Sequence, residues 1–148
     1  MADSSMRKAQ CVFLGEHQHT LDDKGRVILP ARFRSDLAGG IVLTLAKDRC
    51  VDVFPRAEFE RRVELLAAEV EAGTAYRSDM RLFTANAYEQ VPDGQGRVTI
   101  PPKLREYAGL DRDLTVNGMH RNIEIWDRAT WNAYESGATS RFAQDGDA

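Results

Sequence analysis

Short apolar runs of three to five residues, separated by polar turns, dominate the chain and predict a protein built mainly of β-strands. Residues 27–29 and 41–45 are runs of β-favouring side chains. Residues 51–54 alternate apolar and polar positions, as a half-buried strand does. Similar runs return at 114–116 and 123–126. We therefore predict about four short strands in each half of the chain.

Other segments have a helical pattern. After Pro55, four apolar residues recur at spacings of four, three and four, which predicts a helix with one apolar face that ends near Gly73. The four residues are Phe59, Val63, Leu66 and Val70. A second helix completes this connection, and another begins near residue 128. Pro30 and Pro101 each suit the start of a short helix. The predicted class is α+β, mainly β.

One stretch of the chain occurs twice. Residues 22–34 read DDKGRVILPARFR, and residues 93–105, which begin 71 positions later, read DGQGRVTIPPKLR. Asp22 and Asp93 suit turns because their carboxylates accept backbone N–H bonds. Gly25 and Gly96 permit a positive φ. A repeat of this length indicates a duplicated half, and two such halves can close one small barrel.

The repeat divides the chain into five segments. We expect a flexible N-terminal extension at 1–11, a first repeat at 16–58, a helical connection at 59–86 and a second repeat at 87–130. The end of the C-terminal helix and a mobile, polar tail follow at 131–148, with the tail expected from residue 136 onward.

Charge becomes informative only locally. The 148-residue chain has a net charge of −3, so any contact with nucleic acid requires a local basic patch. Residues 22–34 carry four positive and two negative side chains. An arginine held on a β-turn is able to fork to guanine or to phosphate. The alternative is a surface arginine paired with Asp22 or Asp93, and spacing alone does not separate the two. The candidate DNA-binding residues are Lys24, Arg26, Arg32, Arg34, Arg97 and Lys103.

Other chemistry finds less support in the sequence. His17 and His19 lie on one strand face, as a metal pair would, but His120 is distant and no ligand set is complete, so we expect solvent-facing histidines and no metal. We find no nucleophile motif, no phosphate-binding glycine loop and no cofactor motif, and we expect neither an enzyme nor a small-molecule substrate. Two cysteines, no membrane span and no signal peptide predict a reduced, cytoplasmic protein.

At the doubled motif the chain resembles the MraZ family, which has two repeats of the SpoVT-AbrB type. The likeness covers residues 12–134 and is carried by segments 13–15, 21–26, 93–97, 105–110 and 123–127. The resemblance implies a swapped-hairpin barrel formed by both repeats, and a nucleoid-associated transcriptional regulator that assembles into a ring. It implies binding to short direct repeats of double-stranded DNA upstream of a cell-division and cell-wall gene cluster that includes the regulator's own gene. The family's DNA-contacting arginine corresponds to Arg26 and, through the repeat, to Arg97.

The two copies differ in charge. Lys24 in the first copy is replaced by Gln95 in the second, so we expect the first copy to make the main DNA contacts. The alternative function is an antitoxin-like protein-interaction module of the same fold. Such antitoxins resemble one repeat followed by a long partner-binding tail, whereas this chain has a complete second repeat.

Overall fold

The computed structural model describes residues 12–145, and over this range the chain is α+β and mainly β. The elements in chain order are β1 (Glu16–Thr20), β2 (Arg26–Ile28), a 3-10 turn (Ala31–Phe33), α1 (Arg34–Leu37), β3 (Ile41–Ala46), β4 (Cys50–Pro55), α2 (Arg56–Glu71), α3 (Arg77–Ala85), β5 (Tyr88–Gln90), β6 (Arg97–Thr99), α4 (Pro102–Ala108), β7 (Asp113–Gly118), β8 (Ile123–Asp127) and α5 (Arg128–Asp145). The predicted class is confirmed. None of the described helices is long and apolar enough to cross a membrane.

Strands from the two repeats are interleaved. Six antiparallel strands form a sheet in the order β1-β7-β8-β4-β3-β5, and β2 and β6 form a separate two-stranded ribbon. The first strand of each repeat pairs with the other repeat, β1 with β7 and β5 with β3. The ribbon pairs the two copies of the doubled motif with each other. Neither repeat therefore completes its strand pairing without the other.

The main core lies between one face of the six-stranded sheet and the ribbon with its two following helices. Val27 and Val98 point inward from the ribbon, and Leu29 and Ile100, which follow its strands, have no exposed surface. Helices α1 and α4 contribute Leu37 and Leu104, which are equally buried. The alternation of buried and exposed residues along the ribbon leaves its other face toward solvent.

The opposite face of the sheet carries α2, α3 and α5. Phe54 on β4 packs against Phe59 of α2 and Phe83 of α3, with ring centroids 6.0 and 5.9 Å apart. Trp126 on β8 packs against Trp131 of α5 at 5.1 Å. The predicted apolar face of α2 is confirmed as half-buried, although no residue of this helix is fully buried. This layer is therefore less completely buried than the core on the other side of the sheet.

The C-terminal helix is longer than predicted. We expected residues from 136 onward to be a mobile tail, but α5 continues to Asp145, so this expectation is wrong for 136–145. The end of this helix is exposed, and even the apolar side chain of Phe142 is 84% exposed. Exposure does not prevent a helix where the segment lacks proline. The predicted extension at 1–11, including Cys11, and residues 146–148 lie outside the described residues. Cys50 is a buried thiol, and burial raises its pKa.

Two carboxylates meet under α2. Asp52 on β4 and Glu124 on β8 are directly opposite each other in the antiparallel pair. The Asn122 side-chain amide donates to Asp52 at 3.0 Å. Burial, and then the neighbouring Glu124 carboxylate, raise the pKa of Asp52 to about 7, while Arg62 of α2 and Asn122 oppose the shift. Folding therefore favours the protonated form of Asp52 at neutral pH and below.

We predict that Asp52 makes the folded state less stable as pH rises. The folded state binds the Asp52 proton up to about pH 7, whereas the unfolded chain releases it near its ordinary pKa. The free energy of unfolding should thus fall by up to about 1.4 kcal/mol per pH unit between pH 5 and 7 from this group alone. Denaturant unfolding of wild type and Asp52→Asn across pH 5–8 measures it.

The free energy of unfolding of the Asp52→Asn variant should depend less steeply on pH than that of wild type. Glu60→Gln, which neutralises an exposed carboxylate on α2, the helix that packs over Asp52, should keep the wild-type dependence of the free energy of unfolding on pH. Equal slopes in wild type and Asp52→Asn would contradict the assignment.

Candidate nucleic-acid interface

The ribbon brings the two motif arginines onto one solvent-facing surface. In its register Arg26 lies opposite Thr99, and Ile28 lies opposite Arg97. These four side chains share the face that points away from buried Val27 and Val98. Arg26 and Arg97 are diagonal neighbours, a relation that separates Cα atoms by about 7–8 Å in an antiparallel pair. We call this surface, formed by Arg26, Ile28, Arg97 and Thr99, the ribbon face.

Asp22 builds the first turn. One oxygen of its carboxylate accepts the backbone N–H groups of Lys24 and Arg26, each at 2.9 Å, and the other accepts Nε of Arg26 at 2.9 Å. The N–H of Gly25 donates to the Asp22 carbonyl at 3.0 Å, with φ of Gly25 at +78°. The backbone N–H of Arg26, followed by its guanidinium and the Lys24 N–H, holds the pKa of Asp22 below its usual range. The turn is thus ordered by an ionised carboxylate.

Asp93 builds the second turn in the same way. Its carboxylate accepts the N–H groups of Gln95 and Arg97 at 2.9 Å and Nε of Arg97 at 2.7 Å. Gly96 also has a φ of +78°. The backbone N–H of Arg97, followed by its guanidinium and the Gln95 N–H, lowers the pKa of Asp93. Because the two geometries match, the expected difference between the copies depends on side chains alone, chiefly Lys24 against Gln95.

Each ion pair leaves part of its arginine available. Arg26 and Arg97 each donate Nε to their aspartate, and their side chains are 30% and 31% exposed. Within residues 12–145, their terminal guanidinium nitrogens have no hydrogen-bond partner. The ion-pair interpretation of the motif is therefore correct, and the pairing leaves the DNA-contact interpretation open as a prediction. The aspartate orients the arginine, and the fork that would contact a base or a phosphate faces solvent.

Arg34 and Arg105 make contacts that the sequence analysis did not identify. Arg34 of the first repeat lies against Gly96 of the second, and Arg105 of the second lies against Gly25 of the first. Arg34 donates Nε to the Leu29 carbonyl at 3.2 Å. Arg105 was outside the predicted site, although one signal pointed to it: Arg34 and Arg105 occupy equivalent positions in the two copies.

The other predicted residues lie at the edges of this surface. Lys24 is exposed on the first turn and Gln95 on the second. Arg32 and Lys103 occupy equivalent exposed positions in the 3-10 turn and at the start of α4. Within the described chain the side chains of Arg32 and Lys103 have no hydrogen bond or ion pair that would hold them in another role. Their participation in binding stays a prediction.

The histidines take no part in this surface. His17 packs edge-on against Phe33 at 5.1 Å, and both His17 and His19 are half-buried, so the expected solvent-facing orientation is wrong. Side chains alternate between the two faces of a strand, so residues 17 and 19 of β1 face inward while 16, 18 and 20 face outward. Burial, followed by His17, Arg34 and Arg128, lowers the pKa of His19. Among residues 12–145, no cluster of three or more His, Cys, Asp or Glu side chains has the geometry to hold a metal ion.

We predict that Gly25→Ala disrupts the first turn. The methyl group would lie 2.8 Å from Cζ of Arg105, at a φ that side chains rarely adopt. The left-handed backbone alone costs about 1–2 kcal/mol, and displacing Arg105 adds to this. Gly94→Ala is the matched control, because nothing lies within 4 Å and its φ is not left-handed. Denaturant unfolding measures the free energy of unfolding of both variants, which for the control should stay within about 0.5 kcal/mol of wild type. Equal losses in the two variants would contradict the turn assignment.

Comparison with known proteins agrees with the resemblance described from the sequence. The profile of the MraZ protein family, which is described as antitoxin-like, matches residues 12–80 and 83–148. A transcriptional regulator MraZ of Salinispora tropica is 52% identical over 132 residues, which is 89% of this chain and 93% of the relative. The one of Thermobifida fusca is 49% identical over 133 residues, 90% and 93% of the two chains. That of Arthrobacter sp. strain FB24 is 47% identical over 137 residues, 93% and 96%. The chain therefore belongs to the MraZ family.

Proposed function

We propose that the protein is a sequence-specific, DNA-binding transcriptional regulator and that the ribbon face enters the major groove. One observation carries the proposal: two partly exposed arginine side chains lie on the same face of a two-stranded antiparallel ribbon. The major groove admits a two-stranded β-ribbon, and the bidentate contact of arginine with guanine is the commonest specific contact there. Relatives that are 47 to 52% identical are named transcriptional regulators.

In this proposal four basic side chains contribute positive charge around the ribbon face: Lys24, Arg32, Arg34 and Lys103. Their exposed positions suit contacts with phosphates, which orient a protein on the duplex but carry no sequence information. Net charge of −3 makes a single subunit a weak binder. Several subunits acting on repeated sites would raise the affinity through multivalency. The proposed operator is a set of short direct repeats upstream of a cell-division and cell-wall gene cluster that includes the protein's own gene.

We further propose that the sheet and ribbon together are the swapped-hairpin barrel implied by the family resemblance. The exchange of β1 and β5 between repeats supports it, as does the pairing of the two motif copies in the ribbon. In this arrangement the two halves form an intramolecular pseudo-dimer, so that one chain presents both arginines without a partner.

We predict that Arg26→Ala and Arg97→Ala each weaken binding to the DNA upstream of the protein's own gene. The loss should be about 1–3 kcal/mol for an arginine that forks to a base, with relaxed sequence preference. An arginine that contacts only phosphate should instead reduce the salt dependence of binding by about one counterion. Footprinting and titration at several salt concentrations distinguish these cases.

Arg141→Ala provides the charge-matched control. Arg141 is exposed on α5, a helix that packs on the sheet face opposite the main core and the ribbon. It should bind DNA as wild type does. Wild-type affinity and footprint in both Arg26→Ala and Arg97→Ala would overturn the role of the ribbon face.

Self-assembly into a ring is the second part of the proposal. Tyr76 and Leu82 are 78% and 55% exposed, and both line an open groove of about 690 Å³ between α2, α3 and the sheet. Exposed apolar side chains beside a groove are typical of interaction surfaces. A second copy of the chain is the proposed occupant.

We predict that the double variant Tyr76→Ser, Leu82→Ser has a lower molar mass in solution than wild type, because it removes apolar surface from this contact. Light scattering and native mass spectrometry measure it. Phe142→Ser, which changes an exposed aromatic residue on α5, is the control and should assemble as wild type does. An unchanged mass in the double variant would exclude this groove as the ring contact.

The antitoxin-like alternative makes a different prediction. The family description mentions antitoxins, and such a module would purify with a stoichiometric small toxin. DNA binding by the purified chain alone, lost in the ribbon-face variants, would favour the regulator.

A further inference from the structure

We propose that Arg34 and Arg105 are positioning residues that act across the repeats, each fixing the arginine-bearing turn of the other repeat. The effect on DNA binding rests on the proposed function, but the structural part does not. Arg34 is the first residue of α1, which follows β2 and the 3-10 turn, and Arg105 lies on α4, which follows β6. Each therefore belongs to one repeat and contacts the other.

Contact with the glycines is close. A methyl group built on Gly25 would lie 2.8 Å from Cζ, 3.0 Å from Nε and 3.0 Å from Nη1 of Arg105. One built on Gly96 would lie 2.5 Å from Nε and 2.7 Å from Cδ of Arg34. The guanidinium end of each arginine thus fills the space in which a side chain would stand at the turn. Gly25 and Gly96 are buried although both lie in surface turns.

Hydrogen bonds complete a closed set of contacts at each turn. The Gly25 carbonyl accepts the N–H of Ile100 at 2.8 Å, and the Ile100 carbonyl accepts Nε of Arg105 at 3.0 Å. The side chain of Arg105 in turn lies against Gly25, and this contact closes the set. The second set is equivalent: the Gly96 carbonyl accepts the Leu29 N–H at 2.9 Å, and the Leu29 carbonyl accepts Nε of Arg34.

These contacts place the DNA-facing arginines under control of the opposite repeat. Arg26 follows Gly25 directly, and Arg97 follows Gly96. A change in the position of Gly25 therefore moves the start of β2 and the Asp22–Arg26 pair. A planar guanidinium suits this task because it packs flat against backbone while it donates a directed bond. Arg105 is half-buried and Arg34 exposed, so Arg105 should have the larger effect.

The test is a pair of crossed variants in the full chain, followed by amide and arginine Nε–H NMR signals. Arg105→Met should shift the signals of residues 24–26 in the first repeat more than those of 95–97 in its own repeat. Arg34→Met should do the reverse. Arg105→Lys keeps the charge and most of the volume, and serves if the methionine variant does not fold. It should give the same crossed pattern because it lacks the planar group.

A DNA-binding cycle separates positioning from a general loss of stability. Arg105→Met in the wild-type chain should weaken DNA binding about tenfold. Added to Arg97→Ala it should again weaken binding about tenfold, but added to Arg26→Ala it should weaken binding by less than about twofold. The two backgrounds differ because only residues that act through each other are non-additive. A residue that merely stabilises the fold would lower affinity equally in both backgrounds. Arg141→Met, on exposed α5, controls for loss of a positive charge.

Opposite outcomes identify which proposal fails. If Arg105→Met and Arg105→Lys mainly disturb residues 95–97, or if the Arg105 and Arg26 effects on DNA binding are additive, the positioning role is overturned. If the crossed NMR pattern appears but neither Arg26→Ala nor Arg97→Ala changes binding, the positioning role stands and the proposed function fails.

Discussion

Pairing of β2 with β6 is the constraint on which the rest of the structure depends. Each strand has only three residues and buries one valine, so neither would be stable as an isolated hairpin arm. Joined, they cover the core with Val27 and Val98 and hold the buried Leu29 and Ile100 at their ends. Because the partners come from opposite repeats, the main core forms only when both halves of the chain are present. The exchange of β1 and β5 has the same consequence at the edges of the large sheet.

The acidic residues of the motif explain how an overall acidic chain presents a basic surface. Asp22 and Asp93 neutralise Nε of an arginine and at the same time accept two backbone N–H groups. Surface ion pairs contribute little stability by themselves. Here the carboxylate mainly orders the turn and directs the arginine, since both terminal nitrogens stay toward solvent within the described chain. A motif with matched charges therefore still offers a positive end to a partner.

Much of the fold was predictable because the repeat and the apolar pattern are local properties of the sequence. Three correct predictions depend only on near neighbours: the alternation at 51–54, the start of α4 after Pro101 and the turn role of Asp22. Two features were missed for different reasons. Residues 136–145 are polar enough to suggest a tail, but exposure and helix are compatible. Arg105 acts on Gly25, 80 positions away, through a contact that no spacing rule within one repeat describes.

Duplication inside one chain gives the ribbon face a direction. Equivalent positions in the two repeats carry Arg26 and Arg97, yet the neighbouring equivalent positions carry Ile28 and Thr99. One end of the face thus has an apolar side chain of the kind that contacts a thymine methyl group, and the other has a hydroxyl group that bonds either to a base or to a phosphate. Two identical chains paired in this way would present the same chemistry at both ends and would suit a palindrome. If the ribbon face binds DNA as proposed, the fused pair would distinguish one end of a site from the other and would have the polarity that head-to-tail arrays of sites require.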